Sequence, residues 1–174
     1  MNVRLRPITS DDFSTIVRWS EDREFCLAID WSVDLSRAQV EEWWTRILSD
    51  PGDDFLRLGV ERGGQLVGYV DLAQQDRQVG RAEFGIAIGE RRLWAQGLGI
   101  EAGQLMLHHG FHHLGLTRVT AQVHRPNVRS LALMRRLGFR EEGLLRRHAL
   151  YQGGVCDVVI FGLLQNEFDA DRCK

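Results

Sequence analysis

Apolar positions recur with period two in some stretches of the chain and near period 3.6 in others, and the switches between the two predict its elements. "NVRLRPI" alternates as a first strand, and Thr9 or Ser10 with the acids that follow can cap a helix to about Ser20. A polar, acidic loop is expected next, and Ser36 starts a second helix through "RAQVEEWWTRIL", stopping before Pro51-Gly52. "FLRLGVER", the turn Gly63-Gly64 and "QLVGYVDLA" read as a hairpin, and "RAEFGIAIG" as a further strand. From Gly99 to Leu114 the positions Ile100, Leu107, Phe111 and Leu114 recur at helical spacing, with Gly115 as the stop. "TRVTAQVH" is the next strand, Asn127 caps a helix closed by Gly138, and the last hairpin turns at Gln152-Gly153-Gly154. The expectation is one α/β domain over residues 1–174, a mixed central sheet of about seven strands flanked by about four helices, without internal repeats.

Composition narrows the class. With 44% hydrophobic residues in 174, a real core is available. The longest apolar run, Val158 to Leu164, is far shorter than the roughly 20 residues of a membrane helix, and the N-terminus lacks an apolar signal region. A soluble, cytoplasmic protein with no membrane partner is expected. Cys26, Cys156 and Cys173 are odd in number and lack Cys-x-x-Cys spacing, so neither disulfides nor a zinc site is expected.

A net charge of −2 argues against nucleic acid as a partner. The distribution is uneven: ten acids against three arginines between Ser20 and Phe55, and seven arginines against two glutamates between Arg125 and Arg147. A cation could dock on the first half and a polyanion on the second, or these are two ordinary solvated faces.

Within "LWAQGLGIEAGQL" the turn Gly97-Leu98-Gly99 leads into a helix, where bare backbone and free N–H groups can hold a phosphate. A dinucleotide fold would need the glycines at the strand end and an acid about 20 residues on, yet eight loop residues intervene and no Asp or Glu occurs between Ala102 and Arg140. Nor does the Lys-Ser/Thr pair of a P-loop follow. A pyrophosphate cradle or a merely tight strand-to-helix loop remain.

"AEFGIAI", "ERRLWAQGLGIEA" and "NVRSLALMRRLGFREEG", in that order and spacing, resemble the core of the GNAT (Gcn5-related) N-acetyltransferases over roughly Arg81 to Phe168. Gly97 and Gly99 match the glycines of the family's Gln/Arg-x-x-Gly-x-Gly/Ala, while Trp94 stands at the Gln/Arg position, as in the branch of ribosomal-protein N-terminal acetyltransferases. The resemblance implies acetyl-CoA, with its pyrophosphate on the N–H groups of Gln96, Gly97, Leu98, Gly99 and Ile100 and its pantetheine along Ile86, Ala87 and Ile88. It also implies a V-shaped opening where that strand parts from "TRVTAQVH". Asn127 either meets pantetheine or caps its helix, and Arg92, Arg135 and Arg136 either meet CoA phosphates or stay solvated. A chain with 21 arginines and one lysine makes no single arginine diagnostic.

Acetyl transfer needs a neutral amine, an oxyanion donor and a proton for the departing thiolate. Glu83 is the candidate base: it alternates with Gly85 and Ala87, whose small side chains leave room for a ligand, and "AEF" is similar to polyamine acetyltransferases of the superfamily. By resemblance, the backbone N–H near Ile86 serves the oxyanion. Many family members place a tyrosine acid seven residues after the asparagine, where this chain has Met134. Ser130, matching a serine of the ribosomal branch, can donate a hydrogen bond to sulfur from the helix's first turn.

Glu21, Asp22, Glu24 and Asp30, with Trp31 and Glu83, are the candidate acceptor-binding residues, and of Trp43 and Trp44 at least one is expected in the core. "HHGFHH" spaces histidines one helical turn apart but lacks the zinc-protease glutamate, and no metal is expected. Cys156 reads as packing. Three functions stay open: acetylation of a small amine or polyamine-like acceptor, acetylation of a peptide N-terminus, or acyl-CoA binding without turnover. Self-association as a homodimer is left open. Ala149 stands where the ribosomal branch tends to carry a glutamate.

Overall fold

The computed structural model describes residues 3–168. The strands are β1 (Arg4–Arg6), β2 (Leu56–Arg62), β3 (Gln65–Asp76), β4 (Arg81–Ile88), β5 (Arg118–His124), β6 (Arg140–Tyr151) and β7 (Gly154–Leu164). They form one seven-stranded sheet in the order β1-β2-β3-β4-β5-β7-β6, antiparallel everywhere except between β4 and β5. That parallel pair requires a crossover, supplied by α4 (Leu98–His112).

Each face of the sheet is covered. α4 and α5 (Val128–Arg136) close one side over a core holding Leu72, Phe84, Met106, Leu107, Phe111, Val119 and Phe161. The helices α1 (Phe13–Ser20), α2 (Arg23–Ala28) and α3 (Arg37–Ser49) cover the other, with Ile16, Trp19, Phe25, Val40, Trp44 and Tyr69 between them. Of the tryptophan pair, Trp44 is buried and Trp43 exposed, as helix periodicity required of adjacent residues.

α2 corrects the sequence reading, which placed a loop there, and brings the helices to five. Its N-cap Asp22 accepts from the Phe25 N–H at 3.2 Å, and Phe25, Cys26 and Ala28 are buried beneath it. Six residues are too few to display a period, so burial stabilises a helix that pattern alone could not reveal.

The functional geometry comes from where β4 and β5 part. Only Arg81, Ala82 and Glu83 pair with Arg118, Val119 and Thr120. β4 then stays on β3 as far as Ile88, and β5 stays on β7 as far as His124, so each keeps one partner while a gap opens between them. No described helix is long and apolar enough to cross a membrane. Cys173 lies outside the described residues.

Candidate functional site

A cavity of about 310 Å³ fills the opening, lined by Ile86, Ala87 and Ile88 of β4, the loop Leu93 to Ala95, Gly97 to Ile100, and the α5 side chains including Arg129, Ser130, Leu133 and Arg136. Gly97 caps α4 at φ +84°, ψ −9°, in the left-handed region that glycine enters without penalty. Nothing lies within 4 Å of where its Cβ would be, so the glycine serves backbone shape and leaves the cradle open. Gly99 is tighter, since a Cβ there would meet Leu133 Cδ2 at 3.3 Å.

The N–H groups of Gly97, Leu98 and Gly99 have no protein acceptor among the described residues, whereas the Ile100 N–H donates to the Gly97 carbonyl at 3.0 Å. Three bare donors at the positive end of α4 fit a pyrophosphate. Ile100 drops out of that set, because the helix's own first turn uses its N–H. Gln96 and Arg92 also leave the cavity wall. Gln96 Nε2 donates to the Arg92 carbonyl at 2.8 Å, and Arg92 lines a separate polar groove with Arg6, Arg18 and Arg62.

Trp94 ties the loop to the sheet: its Nε1–H donates to the Ile88 carbonyl at 2.7 Å, and the Arg129 guanidinium sits 3.5 Å above its ring. The cation–π contact links the loop to α5 across the cavity mouth. Asn127 caps α5, accepting from the Ser130 N–H at 3.2 Å, and its Nδ2 reaches the Ala28 carbonyl at 3.4 Å. That second bond moors α2 over the opening.

Glu83 is half-buried outside the cavity lining, on the sheet face covered by α1 to α3, where its Oε2 accepts from Gln122 Nε2 at 3.4 Å. The same face carries Asp71, opposite Gly85, and Tyr69, opposite Ala87. Arg57 forks onto Asp71 with two bonds of 2.7 Å and lies 4.3 Å over the Tyr69 ring. Burial pushes the Tyr69 phenol up, leaving it a neutral acceptor for Trp31 Nε1 at 3.1 Å. Trp31 stacks on Tyr69 and meets Trp43 and Trp44 edge-on, forming an aromatic wall.

The four acids of the expected cation patch do not act together. Asp22 and Glu24 both pair with Arg91, which pins α2 to the loop before the cradle. Burial disfavours the Asp22 carboxylate, but Arg91 and the Phe25 N–H outweigh it and hold its pKa below the usual range. Glu21 is exposed at the end of α1, while Asp30 stands at the far end of α2, 3.2 Å from His124 Nε2. Burial raises the Asp30 carboxyl against the opposing pull of His124.

His124, Tyr151, Arg129 and the Arg57–Asp71 pair were missed in the sequence. The alternation Thr120, Gln122, His124 on one face of β5 was legible and would have found the histidine; contacts made across the sheet had no local signal. Cys26 is buried and its thiol pushed up by burial, and neither it nor Cys156 lines the cavity. The α4 histidines assemble no metal site, and no group of three or more ligating side chains occurs among the described residues.

The model of the Acetyltransferase (GNAT) domain matches residues 2–140. The chain is 36% identical over 109 residues to the uncharacterized N-acetyltransferase p20 of Bacillus licheniformis, an alignment spanning 63% of this chain and 61% of that relative. It is 26% identical over 173 residues to the spermidine N(1)-acetyltransferase of Escherichia coli K12, covering 98% and 90%. Mycobacterium smegmatis RimJ, solved in complex with CoA-disulfide, superposes with a TM-score of 0.85 at 24% identity over 98% of this chain and 87% of that one. At that identity the likeness is one of fold.

Proposed function

The chain belongs to the GNAT acetyltransferase family, whose members use acetyl-CoA, and on that premise we propose that this one acetylates a primary amine of small, polyamine-like type by direct attack in a ternary complex. The observation that carries the reading is the split between β4 and β5 with three unpaired N–H groups at its mouth. Acetyl-CoA, when bound, supplies an activated acyl group, and the chain's residues do the rest. Gly97, Leu98 and Gly99 hold the pyrophosphate through backbone, and Ile86 to Ile88 with Leu133 enclose the pantetheine arm.

Glu83 takes the amine's proton, directly or through one water. A lysine-like amine near pKa 10.4 is neutral in about one molecule in a few thousand at pH 7, so an aliphatic acceptor depends on that base. The Ile86 N–H region supports the developing oxyanion, and Ser130 donates a hydrogen bond toward sulfur. Direct transfer fits a cavity whose lining contains no cysteine. Glu83, rather than the Arg91-paired Asp22 and Glu24 or the His124-paired Asp30, offers a carboxylate to a cationic acceptor.

The spermidine acetyltransferase relative, aligned over nearly the whole chain, favours the polyamine class. Trp94 at the family's Gln/Arg position, a feature shared with the ribosomal-protein branch, supports a second reading, acetylation of a peptide N-terminus. Incubating the pure protein with acetyl-CoA against spermidine, other diamines and N-terminal peptides, while following free thiol, separates them. Turnover on polyamines with silence on peptides is expected. The reverse pattern selects the peptide reading, and CoA binding without thiol release returns the chain to a non-catalytic binder.

A further inference from the structure

The departing thiolate needs a proton, and the position where the family's tyrosine acid would stand is Met134, which has no acidic proton and is 3% exposed in the core under α5. Ser130 can donate a hydrogen bond, but an aliphatic hydroxyl is a far weaker acid than the phenol whose place is taken by Met134. A further proton donor would have to come from elsewhere in the fold, and β5 carries an imidazole on the side of the opening.

His124 is the last residue of β5, on the face shared with Thr120, the partner of Glu83. Counting on from the parallel register sets Gln122 level with Gly85 and His124 level with Ala87, across the gap that holds the cavity. Asp30 Oδ2 lies 3.2 Å from His124 Nε2, with the side chains 52% and 20% exposed. The His124 ring stacks on Tyr151, centroids 4.9 Å apart and 27° between planes. Carboxylate and phenol thus fix the imidazole from two sides, while Nδ1 has no protein partner among the described residues. Asp30 holds a left-handed φ of +58°, a region that aspartate tolerates better than most non-glycine residues. Neither side chain lines the cavity itself, but along the chain Asp30 directly follows the lining residue Ile29, and His124 stands three residues before the lining residue Asn127.

We propose that His124 is the catalytic acid that protonates the leaving thiolate, and that Asp30 is the positioning residue that orients it. This rests on the acetyl-transfer reading above. As the amine nitrogen bonds to the acetyl carbon, the C–S bond breaks and sulfur leaves with the bonding pair. The His124 imidazolium gives its Nδ1 proton to that sulfur and becomes neutral imidazole. The amine's surplus proton passes to Glu83, and exchange with water restores both groups, so charge and protons balance over one turnover. Besides Asp30, the ionisable groups whose charge reaches the stacked Tyr151 are Arg129 of α5 and Cys156 of β7.

The test compares two acetyl donors on the amine that performs best in the panel: acetyl-CoA, and p-nitrophenyl acetate, whose phenolate leaves without a proton. His124→Gln should lower kcat with acetyl-CoA by about 10²- to 10⁴-fold while the ester-supported rate falls less than about threefold. Calorimetric affinity for CoA should stay within about twofold. Asp30→Asn, at an exposed position, should show the same donor-dependent pattern with a smaller loss, and it carries the test if the histidine variant melts early. Equal losses with both donors, a lost CoA affinity, or a wild-type rate with acetyl-CoA in both variants would overturn the role. A wild-type protein inactive on every amine would instead overturn acetyl transfer itself.

Discussion

Replacing Gly97 by Asp and, separately, by Asn isolates what the cradle does. The two side chains have nearly the same shape and are the non-glycine residues most tolerant of left-handed backbone. Gly97 sits at φ +84° with open space where a Cβ would go, so both variants should fold and lose only the conformational term, about 1–2 kcal/mol. They differ in one negative charge. At roughly 5 Å from a pyrophosphate charge, Coulomb's law gives about 3 kcal/mol at an effective dielectric near 20 and under about 1 kcal/mol in bulk water. CoA should therefore bind Gly97→Asp roughly 5- to 150-fold more weakly than Gly97→Asn, since each 1.4 kcal/mol is about tenfold. Calorimetric titration with CoA reads the affinities, and thermal melting confirms that both variants fold equally well. Equal affinities in two folded variants would refute the cradle at α4.

Glu83→Gln removes a proton acceptor while keeping the shape, so turnover should drop with acetyl-CoA affinity nearly intact, and most at low pH, where neutral amine is scarcest; a variant that keeps wild-type turnover from pH 6 to 9 would place the base elsewhere. Burial disfavours the Asp12 carboxylate, but Arg6, with two bonds of 2.7 Å, and the Thr9 N–H at 3.0 Å more than offset this and hold its pKa below the ordinary range. A depressed native pKa gives stability that is complete above the unfolded value of about 3.9 and is lost as pH falls through the native one. Asp12→Asn should lower stability at pH 7 by about 1.5–3 kcal/mol and flatten the acid limb of urea unfolding, and an unchanged acid limb would contradict the assignment.

Periodicity and turn chemistry carried the succession of strands along the chain, the approximate spans of α4 and α5 and the glycine turn, because each depends on residues within a few positions of one another. The Asn127 cap and the alternating face of β4 were legible for that reason. α2 was not, being shorter than two turns and held by Phe25 and Cys26 against the sheet. Burial also redistributed the acidic segment: Asp22 and Glu24 look like part of one cationic dock until Arg91, nearly seventy residues on, pairs with both.

Local sequence determined that a glycine turn opens α4 and that Glu83 lies on a face cleared by Gly85 and Ala87. Only the tertiary structure decided what stands opposite. β5 runs parallel to β4, so their approach is set by an entire crossover and by the competing pull of β3 and β7. The resulting gap brings Asp30 to His124 from 94 positions away in the chain. A contact between residues so far apart leaves no mark on the residues beside either one, since pattern reports what a segment buries and not what another segment brings to it.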